Sequence, residues 1–268
     1  MPLVESVVCL LEMHCTSLAE GQTWFLSSGF ECSLSPGTAR SAGFIVLFRP
    51  PLSLEASWTD SDGSFFCLDL SSRAIRFKVA CIYAPNRNPE RDLFLAQVTD
   101  NLDPGTPTIL AGDFNTVFNR SLDGCGSVVV DTSRESSAAL ARLFKEIFCE
   151  DIWRYLHPSS SGFTWSRADG SFSSPIDLIG CPFAWFPSVP ACDIMPCPFS
   201  DHCALEFSAS GPGLWKLNVS ILEEREYFDI ISDFWAQWKH RKAVYCSLAK
   251  WWEDGKSKIK GLTISYCC

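Results

Sequence analysis

Four stretches of this sequence place acidic or imidazole side chains where apolar runs begin or end. Glu12 follows the run at residues 7–11 (VVCLL), and Asp113 and Asn115 follow residues 107–111 (PTILA). Asp177 lies inside the apolar segment at residues 175–179 (PIDLI), where a carboxylate is costly unless it is paired or bound to metal. Asp201 and His202 stand together just before the apolar residues 203–207. A hard divalent cation is held by carboxylate oxygens converging from several chain segments. Taken one at a time, each carboxylate is equally explained as a turn Asp, a helix N-cap or a solvated strand end. As an ordered set they point to hard-cation chemistry, with His202 singled out by its acidic neighbour. His14, His157 and His240 lack such a neighbour and read as ordinary histidines. Tyr83, beside a Pro turn, reads on its own as a packed aromatic.

The elements that must position these groups are short. Apolar runs predict strands at residues 7–11, 43–48, 65–70, 75–83 and 107–111, and later ones at 164–165, 176–179 and 204–207. Helical spacing marks residues 89–102 (Leu93, Val98, Leu102) and, more clearly, 136–148, where Leu140, Leu143, Phe144 and Ile147 form one stripe. Strands outnumber helices and helices fall between strands, which predicts an α/β protein of packed sheets with flanking helices. Residues 209–215 break the pattern like a linker. Beyond it, Ser220 and Glu223 form a capping box that predicts a helix carrying Ile221, Phe228 and Trp235 at heptad spacing. So aromatic a helix requires a covering partner. The rest of the tail is expected to run out without a second core.

The chain has 268 residues, 47% of them hydrophobic and 20% charged, so a sizeable core is expected and wholesale disorder is not. No uncharged apolar run reaches bilayer-spanning length; the nearest candidate, residues 178–192, is interrupted by Pro182, Pro187 and Pro190. Residues 1–16 carry Glu5 and Glu12 and do not resemble a secretory signal. A soluble intracellular protein without a membrane partner is the expectation. The 14 cysteines form no pair of C-x-x-C knuckles and lie mostly within apolar runs, which predicts buried, reduced thiols rather than a disulfide framework or a zinc site.

The order Gly112-Asp113-Phe114-Asn115, Ile176-Asp177-Leu178-Ile179, Ser200-Asp201-His202 resembles the endonuclease/exonuclease/phosphatase superfamily, which includes DNase I, exonuclease III and the apurinic/apyrimidinic endonucleases. Residues 11–16 (LEMHCT) look like its metal-carboxylate segment. Residues 37–43 (GTARSAG) and 82–86 (IYAPN) are similar to the endonuclease domain of LINE-type retrotransposons, and residues 211–218 (GPGLWKLN) to the segment joining that domain to a reverse transcriptase. The resemblance implies a DNase I-like four-layer α/β sandwich of two packed mixed or antiparallel sheets over residues 1–208, with a linker and helical tail at 209–268. It implies a magnesium-dependent phosphodiesterase, manganese being the alternative ion, that nicks DNA in the nucleus. Glu12 would be the main metal carboxylate and Asp201 a second metal ligand, with Asp113, Asn115 and His202 also within reach of the ion. Asp113 would orient or deprotonate the attacking water, and Asn115 and His202 would contact the phosphate. Asp177 would fix the His202 tautomer. Tyr83 would act catalytically beside the leaving group, with Asn86, Thr164 and Arg40 on the DNA.

The sequence also departs from the family pattern. Members carry a first strand ending in an Asn-x-Asn/Asp-Gly motif, whereas Met1 precedes Glu12 by only eleven residues, so that strand is expected to be missing. Met13 replaces a small polar residue, and Pro175 stands where an Arg often precedes the Ile-Asp pair. A reverse transcriptase is expected to be absent. The net charge of −9 is opposite to the usual basic footprint of a DNA-binding protein. Arg40, Arg49, Arg87, Arg91 and Arg120 are the loop cations available to line a DNA groove. Two other functions compete: an inactive, truncated retroelement remnant, and a phosphatase of the same superfamily acting on inositol lipids or sphingomyelin.

Overall fold

A computed structural model describes residues 7–13, 17, 19, 22–23, 29–37, 43–72, 75–119, 123, 125–126, 134–208, 221–222, 224–244 and 247–267. Its centre is a six-stranded sheet. Strands β4 (Ser53–Thr59), β5 (Phe65–Ser71), β6 (Arg76–Tyr83), β7 (Thr108–Asp113), β12 (Asp177–Pro182) and β9 (Cys149–Asp151) lie side by side in the order β4-β5-β6-β7-β12-β9. Only β6 and β7 run parallel; the other pairs are antiparallel.

Side chains alternate across a strand, so β5 and β6 feed two cores at once. Phe65, Cys67, Ala80 and Ile82 face helices α1 (Glu90–Asn101) and α2 (Arg134–Glu146), meeting Leu95, Val98, Leu140, Leu143 and Phe144. Phe66, Leu68, Leu70, Val79 and Cys81 face the other way, onto Phe44, Val46 and Phe48 of β3 (Phe44–Phe48). Strand β3 is flanked by β1 (Val7–Leu11) and β2 (Glu31–Ser35) in a three-stranded ladder. Its outward residues Ile45 and Leu47 gather Leu10, Met13, Phe30, Cys32 and Leu34 into a third cluster. The second layer is completed by the hairpin β13 (Ala191–Met195) and β14 (Ala204–Ser208), whose Leu205 and Phe207 pack on the same core as β3. The expected two packed sheets with flanking helices are therefore present, the second as two ladders with none joining them among the described residues.

Every strand and helix expected up to residue 208 is found. Apolar periodicity did not reveal β2, β4, β9, β13, the short helix α3 (Ile152–Leu156) or the short strands β8 (Cys125–Gly126) and β11 (Phe172–Ser174). The cause is plain in β4, an edge strand exposed along most of its length, whose ladder is supplied by β5 rather than by a buried face. The described cysteines are free thiols, as expected, and burial pushes those of Cys67, Cys181 and Cys192 up to about 12.

The tail corrects two expectations. Ser220 and Glu223 lie outside the described residues, and helix α4 (Arg225–Trp238) starts after Glu224 with no side-chain cap bond. Ile221 precedes it, so the heptad stripe is not one helical face: Phe228 is exposed while Tyr227 and Trp238 are buried. The chain also does not run out, because helix α5 (Leu248–Cys267) folds back as the partner α4 needs. Trp235 packs on Trp251 and Trp252, and the Tyr227 and Thr263 hydroxyls bond at 2.7 Å. Lys258 Nζ sits 4.1 Å from the Phe148 ring centre, a cation–π contact that ties α5 to the main body.

Gly112 is the residue on which the functional end of the central sheet closes. Its φ is +144°, and a Cβ there would lie 1.9 Å from the carbonyl oxygen of Ile82 on β6. Gly112→Ala must push β6 and β7 apart, and is expected to lower the unfolding free energy by about 3 kcal/mol or more in urea titration. Wild-type stability in that variant would contradict the packing described here.

Candidate functional site

Three strand ends put three functional side chains in one row. Tyr83 ends β6, Asp113 ends β7, and Asp177 opens β12; Asp113 is the ladder partner of both neighbours. Two carboxylates facing each other across a ladder repel, so what surrounds them defines the site. Asp113 is 5% exposed. Its Oδ1 accepts the backbone N–H of Asn115 at 2.8 Å, and its Oδ2 accepts the Asn115 side-chain amide at 3.0 Å. Asn115 adopts φ +50°, a left-handed conformation that Asn tolerates, and its amide also donates to Ala84 O at 2.9 Å. Its amide nitrogen is thereby committed, leaving the carbonyl oxygen as the end that can meet a ligand.

Asp177 is paired differently. Its Oδ2 accepts from His202 Nδ1 at 2.8 Å, which fixes the tautomer and points Nε2 away from the carboxylate. Thr164 holds both partners. Its Oγ1 accepts the Asp177 N–H at 3.0 Å, and its carbonyl accepts the Cys203 N–H at 2.6 Å, next to His202. Thr164 is 1% exposed. Its hydroxyl, expected from the sequence to face DNA, is thus engaged inside the protein with the Asp177 backbone. Its neighbour Trp165, on strand β10 (Trp165–Ser166), bridges to His202 and donates its indole N–H to Asp201 Oδ2 at 2.9 Å. Asp201 is exposed and stands outside the group formed by Asp113, Asp177 and His202, whose ligand atoms all lie within 4.8 Å of one another. Sequence reasoning missed Trp165, and no local signal marks a pairing between residues that far apart in the chain.

Glu12 follows β1 in the facing layer, with φ +55°. It is exposed, and its carboxylate acts on the Tyr83 phenol. Burial and the Glu12 carboxylate both push the Tyr83 phenol well above its usual range, so it stays protonated and donates. Glu12 also acts electrostatically on Asp113. Burial first, then the Asp177 charge, raise the Asp113 carboxyl to about 7, against the lowering pull of the Asn115 N–H and of His202. Burial works to lower the His202 imidazole, but its hydrogen bond with Asp177 and the charges of Asp177, Asp113 and Asp201 carry it to about 9.

The donor set fits a hard divalent cation. Among the described residues the atoms that converge are the carboxylates of Asp113 and Asp177 and the imidazole of His202, and the two carboxylates are the hard oxygen donors such a cation takes. Burial first, and the Asp177 charge second, make Asp113 a carboxylate whose ionised form a bound cation would favour. A cavity of about 230 Å³ adjoins this group, lined by Asp177 and Thr164 together with Asp123, Asp151 and Arg154. Arg154 donates there to Asp123 Oδ1 at 2.6 Å and to Ser160 O at 2.7 Å, so its charge braces two loops.

The loop cations divide. Arg91 is buried and donates to Asn86 O, Asn88 Oδ1 and Ser136 Oγ, which makes it a loop brace rather than a DNA contact. Arg49 lies over the Phe30 ring at 3.9 Å. Arg87 and Asn86 are exposed on the loop after Tyr83. Arg40 and Arg120 lie outside the described residues.

Comparison with known proteins adds lineage to this geometry. The sequence profile of the Endonuclease/Exonuclease/phosphatase family matches residues 3–216. A "Transposon TX1 uncharacterized 149 kDa protein" of Xenopus laevis is 28% identical over 274 aligned residues, covering 97% of this chain and 21% of that protein. The chain thus spans about a fifth of the length of that curated relative. An AP endonuclease from Archaeoglobus fulgidus superposes with a TM-score of 0.62 at 14% identity, over 76% of this chain and 88% of its own. A 3′ phosphatase from Neisseria bound to product DNA hairpin gives 0.61 at 14% identity, over 76% and 88%. At such identities the two structures establish the shared fold.

Two outcomes follow for the metal-free protein. Because Asp113 binds its proton more tightly folded than unfolded, stability falls as pH rises from about 4 to about 7. Asp113→Asn removes that loss, and is expected to be more stable than wild type by about 2 kcal/mol at pH 7.5 in chelator, with little difference at pH 4, in urea titrations. Equal stabilities at both pH values would show that the buried charge is not strained. Thr164→Val strands the Asp177 N–H and is expected to cost about 1–2 kcal/mol, whereas Thr164→Ser, which keeps the acceptor, recovers most of it.

Proposed function

The chain belongs to the endonuclease/exonuclease/phosphatase family, and on that premise we propose that it is a metal-dependent hydrolase that cleaves phosphodiester bonds within DNA. The observation that carries the reading is the Asp113, Asp177 and His202 group, with Asn115, Tyr83 and Glu12 around it. Magnesium is the proposed ion, with manganese as substitute, held by Glu12 and Asp113 with Asn115 beside them. When bound, such a cation supplies positive charge at the phosphoryl and leaving oxygens.

The chain's own groups supply the rest. Asp113, raised to about 7, is poised to take a proton from an attacking water near neutral pH. His202, raised to about 9, is an imidazolium at that pH and donates through Nε2 to a phosphate oxygen, while Asp177 accepts from Nδ1 and keeps the ring in place. Tyr83, held as a phenol, is a second donor beside Asp113. Thr164 contributes by holding Asp177 and the His202 loop at fixed separation. The likeness to a transposon protein several times longer supports reading this chain as the nuclease part of a mobile-element protein acting on nuclear DNA.

The test is a supercoiled-plasmid assay. With magnesium the protein is expected to nick the plasmid and with chelator to leave it intact; Asp113→Asn and His202→Ala are expected to slow nicking by about 10²-fold or more. The rate is expected to fall above pH 9 in wild type. Nicking no faster than in the Asp113→Asn control would support an inactive remnant, and release of phosphate from a lipid headgroup without DNA cleavage would support the phosphatase reading.

A further inference from the structure

The loop that turns His202 into the site turns Phe199 out of it. Residues 196–203 connect β13 and β14, and Phe199 lies at the tip of that hairpin. It is 95% exposed, against 64% for Phe228 and 63% for Leu93. Scattered exposed apolar residues are ordinary on protein surfaces, but they are ordinarily not held out on an anchored loop. Here Pro196 and Pro198 restrict the ascending limb. Ser200 N–H donates to Cys197 O, His202 N–H to Ser200 Oγ, and Cys203 N–H to Thr164 O. Asp201 is pinned by the indole of Trp165. The ring is thus presented to solvent at little further entropic cost on binding.

We propose that Phe199 is a wedge that inserts beside an unstacked base of the nucleic acid, next to the bond that is cut. The inference rests on the phosphodiesterase reading above. Three residues of chain reach at most about 10 Å, and bases along one strand follow each other every ~3.4 Å. Phe199 and His202 are three residues apart, so their backbones lie no farther from each other than about three nucleotides of a strand held at His202. An aromatic ring there gains by stacking on a base already displaced from its neighbours, and the gain is tolerant of base identity. The substrate class assigned is duplex DNA with a weakened step, such as a mismatch, near the scissile bond, favoured over a fully paired duplex. The negative net charge is consistent with such a mode, since stacking draws less on phosphate neutralisation than a basic groove does.

The experiment uses two 2-aminopurine-labelled duplexes, one mismatched and one fully paired, protected by phosphorothioate linkages, with magnesium present. The fluorescence reports unstacking whether or not a bond is cut, and anisotropy reports binding. Wild type is expected to bind the mismatched duplex more tightly and to raise the 2-aminopurine signal. Phe199→Ala is expected to bind the mismatched duplex about tenfold more weakly and to lose that rise, and Phe199→Trp to restore both. Because Phe199 makes no core contact, Phe199→Ala should melt at the wild-type temperature, monitored by circular dichroism. If Phe199→Ala binds and unstacks like wild type, the wedge is refuted while the nuclease reading stands. If wild type binds neither duplex, the wedge and the nuclease reading fall together.

Discussion

Two carboxylates that repel are made ladder partners, and the site follows from how that conflict is met. The β7–β12 register sets Asp113 opposite Asp177. Each carboxylate is then answered by different chemistry. Asp177 receives a ring N–H from His202, and Asp113 receives two donors from Asn115. Burial, and after it the Asp177 charge, raise the Asp113 carboxyl to about 7 against these donors, and a divalent cation would favour its ionised form. Holding the Asp113 carboxylate in this setting costs local stability as pH rises through its range, the usual price of a site not built for stability alone.

Several parts of the fold exist to keep that arrangement from relaxing. Gly112 lets β7 approach the Ile82 carbonyl so closely that no side chain fits. Phe114, fully buried, anchors the turn between Asp113 and Asn115, and its N–H donates to Ile176 O. Thr164 links the Asp177 backbone to the His202 loop, so the two members of the pair cannot drift independently. Glu12 comes from the opposite layer and meets Tyr83 at the edge of the row, so the packing of the two layers sets how the carboxylates converge.

The helical tail solves a separate problem. Helix α4 carries more aromatic surface than it can leave in water, and α5 covers it through Trp251 and Trp252. The expectation of a tail without a core failed because α5 is rich in Lys, Ser and Gly among its aromatics, so no single apolar stripe announces it. Its partner is recognised through ring packing, which only contact reveals.

The sequence by itself determined the chemistry and the main strands. Continuous apolar runs at residues 44–48, 65–68 and 79–82 fit strands buried on both faces, which points to a layered α/β protein. The ordered motifs around Asp113, Asp177 and His202 were legible because each needs a fixed local residue pattern. What only the tertiary structure decided was the assignment of partners. Thr164 could not be told from a substrate contact, nor Arg91 from a groove cation, until their hydrogen bonds were known. That Asp201 stands outside the Asp113, Asp177 and His202 group, with its carboxylate taken by the Trp165 indole, could not be read from spacing. The physical reason is that residue type and spacing report what a side chain can do, whereas burial and hydrogen-bond partners are set by strand pairing between segments far apart in the chain.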